Sequence, residues 1–230
     1  MTILAQAEHF LRALPQLSVL DNDEIHNLAS QLHKRKYHKG EFVFHQGQQV
    51  KKLFFVEMGK VEVYKSDING RKLTLWFIGE DEMFCLANLY AHEAFATAKI
   101  IEKSIIYSVE RDYFDLLSQN SGKLAQNLIR CISAKLTTFS SLLDDMAFKK
   151  VEARLATILL SRIPQNAEPS FICSVTQEDL AAMAGTSREV ISRILKSFRE
   201  RGLIKGMESK RKSHFIVTNY SLMKEIATTG

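Results

Sequence analysis

Cysteine is scarce: Cys85, Cys131 and Cys173 are the only three in 230 residues, odd in number, far apart and without a C-x-x-C pair. A disulfide framework is therefore not expected, and a reducing compartment is. The opening MTILAQAEHFLRALPQL is an amphipathic stretch interrupted by Pro15. It lacks the charged start and apolar block of an export signal, and no segment has the uncharged length of a membrane span. A cytoplasmic protein with no membrane association is the expectation. Also missing are a P-loop, a G-x-S-x-G, an H-E-x-x-H and any metal-type spacing of histidines, so no enzyme is expected.

What is present is ordinary in bulk and uneven in distribution. Apolar residues make up 46% and charged residues 25%, enough for one large core or two modest ones. The net charge of +5 divides sharply at Phe148: residues 1–147 hold 17 Lys/Arg against 18 Asp/Glu, a balance of −1, and residues 148–230 hold 14 against 8, a balance of +6. A localised cationic surface is the footprint of a domain that displaces counterions from phosphate.

The basic half contains the most informative stretch, VTQEDLAAMAGTSREVISRILKSFRERGLI, from Val175 to Ile204. Thr176 followed by Asp179 makes an N-terminal cap, after which Leu180, Met183 and Ala184 share one helical face. Gly185 is the residue most easily placed at positive φ, and Thr186 or Ser187 caps a second helix with an apolar stripe of Ile191, Ile194, Leu195 and Phe198. Small Ala181 permits close approach of the two helices, and Ile191 plugs the seam between them. The opposite face carries Arg188, Glu189, Ser192, Arg193 and Lys196 at one-turn spacings. Any amphipathic helix pair with solvated charges shares part of this pattern. The concurrence of small residue, glycine, plug and exposed Arg/Glu/Ser/Arg set predicts a DNA-reading helix-turn-helix. Arginine donates a fork to guanine, a carboxylate accepts from cytosine, and serine suits bases or phosphate.

The segment SREVISRIL resembles the recognition helix of the Crp/Fnr superfamily of bacterial transcription regulators. The resemblance implies base reading by Arg188, Glu189 and Arg193, with Ser192 matching the serine of the Fnr-like branch. Thr176, Gln177, Ser187 and Lys196 complete the expected DNA-contacting set. The first arginine of the catabolite-activator branch stands together with the Glu-x-x-Ser-Arg pattern of the Fnr branch, which leaves the half-site open beyond a TGA-like core.

Toward the N-terminus, Asp21 and Glu24 make a capping-box pattern for a short helix through Ile25, Leu28, Ala29 and Leu32, ending near His33. From Tyr37 to Tyr107 the segments EFVFHQ, LFFVEM, KVEVYK, KLTLWFI and SIIYSV alternate, separated by turns at which Gly40, Gly47, Gly59, Gly70 and Gly79 fall. An antiparallel sandwich or jelly roll is predicted, and it resembles the cyclic-nucleotide-type β-roll of the same superfamily.

From about Asp112 the period becomes helical. In SGKLAQNLIRCISAKLTTFSSLLDDMAF, Ile132, Leu136, Phe139, Leu143 and Met146 follow a heptad step, with Leu124 and Leu128 leading in. Such a helix either packs on its own sheet or dimerises. The superfamily places a dimer helix here, which implies a homodimer seam of Leu128, Ile132, Leu136, Phe139, Leu143 and Met146 and a palindromic operator in double-stranded DNA. Residues 147–150 read as a hinge, VEARLATILLSRI as a helix and PQNAEPS as a loop. LIKGM and SHFIV read as strands of a wing whose tip, Lys210, Arg211 and Lys212, is expected at phosphate.

The whole chain thus reads as α+β: a sensory jelly-roll β-domain over residues 1–111, a dimerisation helix over 112–147 and a winged helix-turn-helix over 148–230. A cyclic nucleotide would need a buried arginine for its phosphate and a carboxylate for its ribose, which the superfamily takes from Gly-Glu-Leu and Arg-Ser-Ala segments. Here Phe84 and Cys85 stand at the Gly and Glu positions, and Ala94 and Phe95 at the Arg and Ser positions. Glu80, Glu82 and Glu93 nearby would repel phosphate. Cyclic AMP is therefore not the expected effector, and with no cysteine ahead of Cys85 neither is an Fnr-type iron-sulfur cluster.

Phe84, Cys85, Leu86, Leu89, Tyr90, Ala94 and Phe95 outline an apolar pocket for a small molecule or for haem. Cys85 in its MFC segment is similar to carbon-monoxide-sensing relatives, whose histidine two residues on is Ala87 here. His45, His92 and Met58 are the other iron-ligand candidates. The expected function is effector-controlled transcription regulation, with RNA polymerase as a partner if the protein is an activator. The alternatives are a haem-containing gas or redox sensor of the same family, and a nucleotide-type binding module that regulates a protein partner and has no DNA affinity.

Overall fold

Local capping signals start the first two helices in the computed structural model, which describes residues 2–89, 91, 93–163, 173–208 and 213–229. Thr2 Oγ1 accepts the N–H of Ala5 and opens helix α1, Ile3–Ala13. Asp21 and Glu24 close a reciprocal capping box at 2.8 and 2.9 Å and open α2, Asn22–Ser30. Packing divides the chain into two units, residues 1–65 with 76–139 and residues 66–75 with 140–230.

A six-stranded antiparallel sheet is formed by β1 (His33–Tyr37), β2 (Phe42–Phe44), β3 (Lys52–Ser66), β4 (Lys72–Ile78), β5 (Glu82–Phe84) and β6 (Thr97–Glu110). The order is β1-β6-β3-β4, with β2 also pairing β6 and β5 also pairing β3. Three expectations change. His33 does not end α2 but begins β1, a strand whose HKRK side chains are all exposed, so it carries no alternation to read. Such lysine-rich edges discourage pairing with other chains. LFFVEM and KVEVYK are one continuous strand, β3. Gly59 is a bulge inside it at φ 94, where a Cβ would collide with Ser104 and the Lys103 carbonyl. The helical region from residue 112 is two helices, α3 (Arg111–Asn120) and α4 (Gly122–Phe148), broken by extended Ser121. Phe10, Leu11, Ile25, Leu28, Phe55, Tyr107 and Phe114 form one core with Leu124 and Leu128 of α4. Each such enclosed side chain contributes about 1.5–3 kcal/mol of apolar burial.

In the second unit, α5 (Val151–Ser161), α6 (Gln177–Ala184), α7 (Arg188–Glu200) and α8 (Tyr220–Thr229) surround a small sheet of order β7-β9-β8. Its strands are β7 (Cys173–Val175), β8 (Ile204–Glu208) and β9 (Ser213–Val217). Leu155, Leu159, Leu180, Ile191, Leu195, Phe198, Phe215 and Met223 make its core. Helix α8 was not foreseen from the sequence. Among the described residues, no helix is long and apolar enough to cross a membrane.

Candidate nucleic-acid interface and effector cavity

The helix pair α6–α7 is set by short-range chemistry. Thr176 and Asp179 form a full capping box, Gly185 ends α6 at φ 61 and ψ 47, and Ser187 rather than Thr186 caps α7. Thr176 and Ser187 oxygens accept the N–H groups of Asp179 and Val190, so both side chains are engaged in building the helices. On α7, Ile191, Leu195 and Phe198 are fully buried, which turns Arg188, Glu189, Ser192, Arg193 and Lys196 to solvent. Together with Gln177 and Arg199 they line one open groove. Arg199 was missed, although it continues the one-turn series from Ser192 and Lys196.

Within the groove, Arg188 Nε lies 3.3 Å from Glu178 Oε1 and Lys196 Nζ 3.9 Å from Glu200 Oε1. A hydrogen bond from the Ser187 side chain holds the Glu189 carboxyl below the usual carboxylate range, which keeps it an acceptor. The wing-tip residues Lys210, Arg211 and Lys212 lie outside the described residues.

Helix α4 bears an exposed apolar stripe. Ile132 is 49% exposed, Leu136 66%, Phe139 37% and Leu143 53%, and Ile129, which the heptad reading passed over, is 62% exposed. One of the expected seam residues needs correction, and another has a neighbour within its own chain. Leu128 is 6% exposed and belongs to the core of its own sensor unit, because the first turns of α4 pack on that core. Met146 is half-buried, with its methyl group against Gly185 at the end of α6. Heptad spacing marks both as apolar but cannot tell an internal neighbour from a partner chain.

A cavity of about 290 Å³ opens in the sensor unit. Phe84, Cys85, Leu86 and Phe95 line it as expected. Ala94 does not: it is buried, and its backbone pairs with Gly47 and Gln48 at 2.8 and 2.9 Å. The Leu89 side chain, Tyr90 and His92 lie outside the described parts of the structure. The sequence reading missed Gln16, Phe44, Trp76, Cys131, Lys135 and Thr138, which reach the cavity from separate segments of the chain. Cys85 sits at φ 74, a conformation disfavoured for a residue with a Cβ. It lines the cavity, and burial pushes its thiol well above the usual range. Cys85 and Cys131 line this cavity, and no described histidine does. The described lining therefore offers a metal thiols but no imidazole.

Fold and groove together define a ligand-binding β-domain joined through a long helix to a winged helix-turn-helix. Residues 34–121 match the cyclic nucleotide-binding domain family and residues 153–226 the Crp-like helix-turn-helix domain, together well over half of the chain. A cyclic AMP receptor protein of Thermus thermophilus is 29% identical over 196 residues, 85% of this chain and 90% of that protein. Among solved structures, a crp/fnr-family transcriptional regulator of Eubacterium rectale superposes with a TM-score of 0.81 at 19% identity, over 95% of this chain and all of that one. A c-di-GMP-responsive global regulator of Xanthomonas campestris gives 0.77 at 20% identity, over 86% of this chain and 100% of that one. The chain belongs to the Crp/Fnr superfamily of effector-controlled, DNA-binding transcription regulators.

Proposed function

We propose that this protein is a cytoplasmic homodimeric regulator, without enzymatic activity, that reads a palindromic operator through α7 under control of a small apolar effector. In this reading residues 1–111 sense, 112–147 dimerise and 148–230 bind DNA. The observation that carries it is the two-sided character of α7: Ile191, Leu195 and Phe198 buried beneath, Arg188, Glu189, Ser192, Arg193 and Lys196 displayed above. A two-fold pairing of α4 stripes would present that displayed face twice, about one DNA turn apart. RNA polymerase is a further partner where the protein activates.

The effector is not cyclic AMP. Relatives in Thermus thermophilus and Pseudomonas aeruginosa carry names that tie them to that nucleotide. Here the cavity wall offers Phe44, Trp76 and Phe95, and by the family resemblance Cys85 and Ala94 stand where the ribose carboxylate and the phosphate arginine would be. These features support an apolar ligand over a buried phosphate. Randomised-site selection, with and without cyclic AMP, tests both parts: an inverted repeat is expected, unchanged by the nucleotide. Recovery of no repeat would remove the DNA-reading role. Micromolar cyclic AMP binding that tightens operator affinity would overturn the effector reading.

A further inference from the structure

Two polar groups on the sensor cavity are incompletely bonded. Gln16 Oε1 is buried with no hydrogen-bond partner, and Gln16 lines the cavity. Native interiors seldom leave such an acceptor alone, so the atom calls for a donor. Lys135 enters from α4 with three donors, and its contact is Glu82 Oε1 at 3.4 Å. That is well beyond the roughly 2.7–2.9 Å of a good charge-assisted bond. The other Glu82 oxygen accepts the Gly79 N–H at 2.7 Å, so Glu82 keeps a firm main-chain partner whether or not the lysine stays. The ammonium is the loosely held member of the pair.

The remaining wall is built for a flat apolar body. On that wall Phe44 and Phe84 stack at 6.3 Å between ring centroids, and Trp76 meets Phe95 at 5.9 Å. A cavity of about 150 Å³ takes up benzene, so one of about 290 Å³ suits a ring with substituents.

Resting on the reading that the β-domain holds an effector other than a cyclic nucleotide, we propose that this effector is a ring-sized apolar carboxylate. Its carboxylate takes Lys135 from Glu82, its ring lies against Phe44, Phe84 and Trp76, and a hydroxyl or N–H on the ring donates to Gln16 Oε1. Cys131, Ile132, Lys135 and Thr138 all belong to α4, so occupancy is felt on the helix that carries the exposed stripe.

Trp76 is the single tryptophan of the chain and lines the cavity, so its fluorescence reports occupancy. The full-length protein is titrated with benzoate, phenylacetate and their ring-hydroxylated forms, each beside its neutral primary amide, with calorimetry in parallel. A saturable Trp76 response is expected for at least one acid, with its amide weaker by about tenfold or more. Lys135→Met should abolish the acid-over-amide preference while leaving the amide unchanged, Lys135→Arg should keep it, and Gln16→Leu should erase the advantage of the hydroxylated acid over its parent. Acids and amides binding alike, or no saturable response to any acid at millimolar concentration, would overturn the carboxylate proposal. A saturable response to cyclic AMP would instead overturn the effector reading beneath it. Loss of palindromic DNA selection would overturn the regulator reading and leave the cavity result standing.

Discussion

Arg154 Nε donates to the carbonyl oxygen of Ala184 at 2.9 Å, so a side chain of α5 satisfies the last residue of α6. The same guanidinium reaches back through Nη1 to the Lys149 carbonyl at 2.7 Å and the Asp145 carbonyl at 3.4 Å, at the end of α4. The final carbonyls of a helix have no partner within it, and a cation there also meets the negative end of the dipole. One residue thus ties together the C-terminal ends of α4 and α6.

Arg154→Met keeps most of the apolar stem and removes the donors. It should cost about 2–3 kcal/mol, the scale of hydrogen bonds to a charged group, read as a lower urea midpoint for the C-terminal unit. An unchanged midpoint would mean that water serves these carbonyls equally well.

Gly185 carries two separable demands. Its φ of 61 costs a residue with a Cβ about 1–2 kcal/mol, and a Cβ there would also strike the Met146 methyl group. The struck atom is the far end of a flexible side chain, so Gly185→Ala should lower thermal stability by about the backbone cost and little more. Adding Met146→Ala should then leave only a small non-additive term in a double-mutant cycle. A large one would show that Met146 is held in place.

These cases mark what a sequence can reveal. The capping boxes at Asp21/Glu24 and Thr176/Asp179, the glycine at 185 and the α7 face were legible because each depends on residues within one turn of each other. The strand β1 was not, since HKRKY has no apolar alternation, and Gly59 looked like a corner because a bulge glycine and a turn glycine are the same letter. The cavity was half legible: Phe84 to Leu86 are contiguous, whereas Gln16, Trp76 and Lys135 meet only in the folded unit. Leu128 failed for a related reason, since periodicity names a face and not its neighbour.

That distinction can be tested. Replacing Phe139 and Leu143 by Asp should yield folded monomers, because both side chains project from the outer stripe of α4, and each is worth about 1.5–3 kcal/mol when covered. Leu128→Asp should instead unfold the sensor unit, because it buries a charge without a partner. Sedimentation velocity with circular dichroism separates the outcomes. A folded dimer from the Phe139/Leu143 double variant would move the seam off this stripe.

Operator reading makes the sharpest demands on named residues. Arg193 is exposed on α7; if it donates its fork to a guanine as proposed, Arg193→Ala should cost about 1–3 kcal/mol at one base-pair position and relax preference there. Glu189→Gln should act at a different position, since an amide both donates and accepts where the carboxylate only accepts. Arg188 begins in an exposed ion pair with Glu178, 3.3 Å away, so reading DNA means leaving that partner. Exposed pairs are worth about 0–1 kcal/mol. Glu178→Ala should therefore change operator affinity by no more than a few-fold, and toward tighter binding, while Arg188→Ala loses discrimination. Lys210, Arg211 and Lys212 should differ in kind: their replacement by Ala should weaken all sequences alike and lower the salt slope by about one for each phosphate no longer neutralised. Titrations of wild type and variants against single-base operator variants at two salt concentrations resolve these terms. Full discrimination by Arg193→Ala, or a sequence-specific loss from the wing variants, would reverse the roles given to helix and wing.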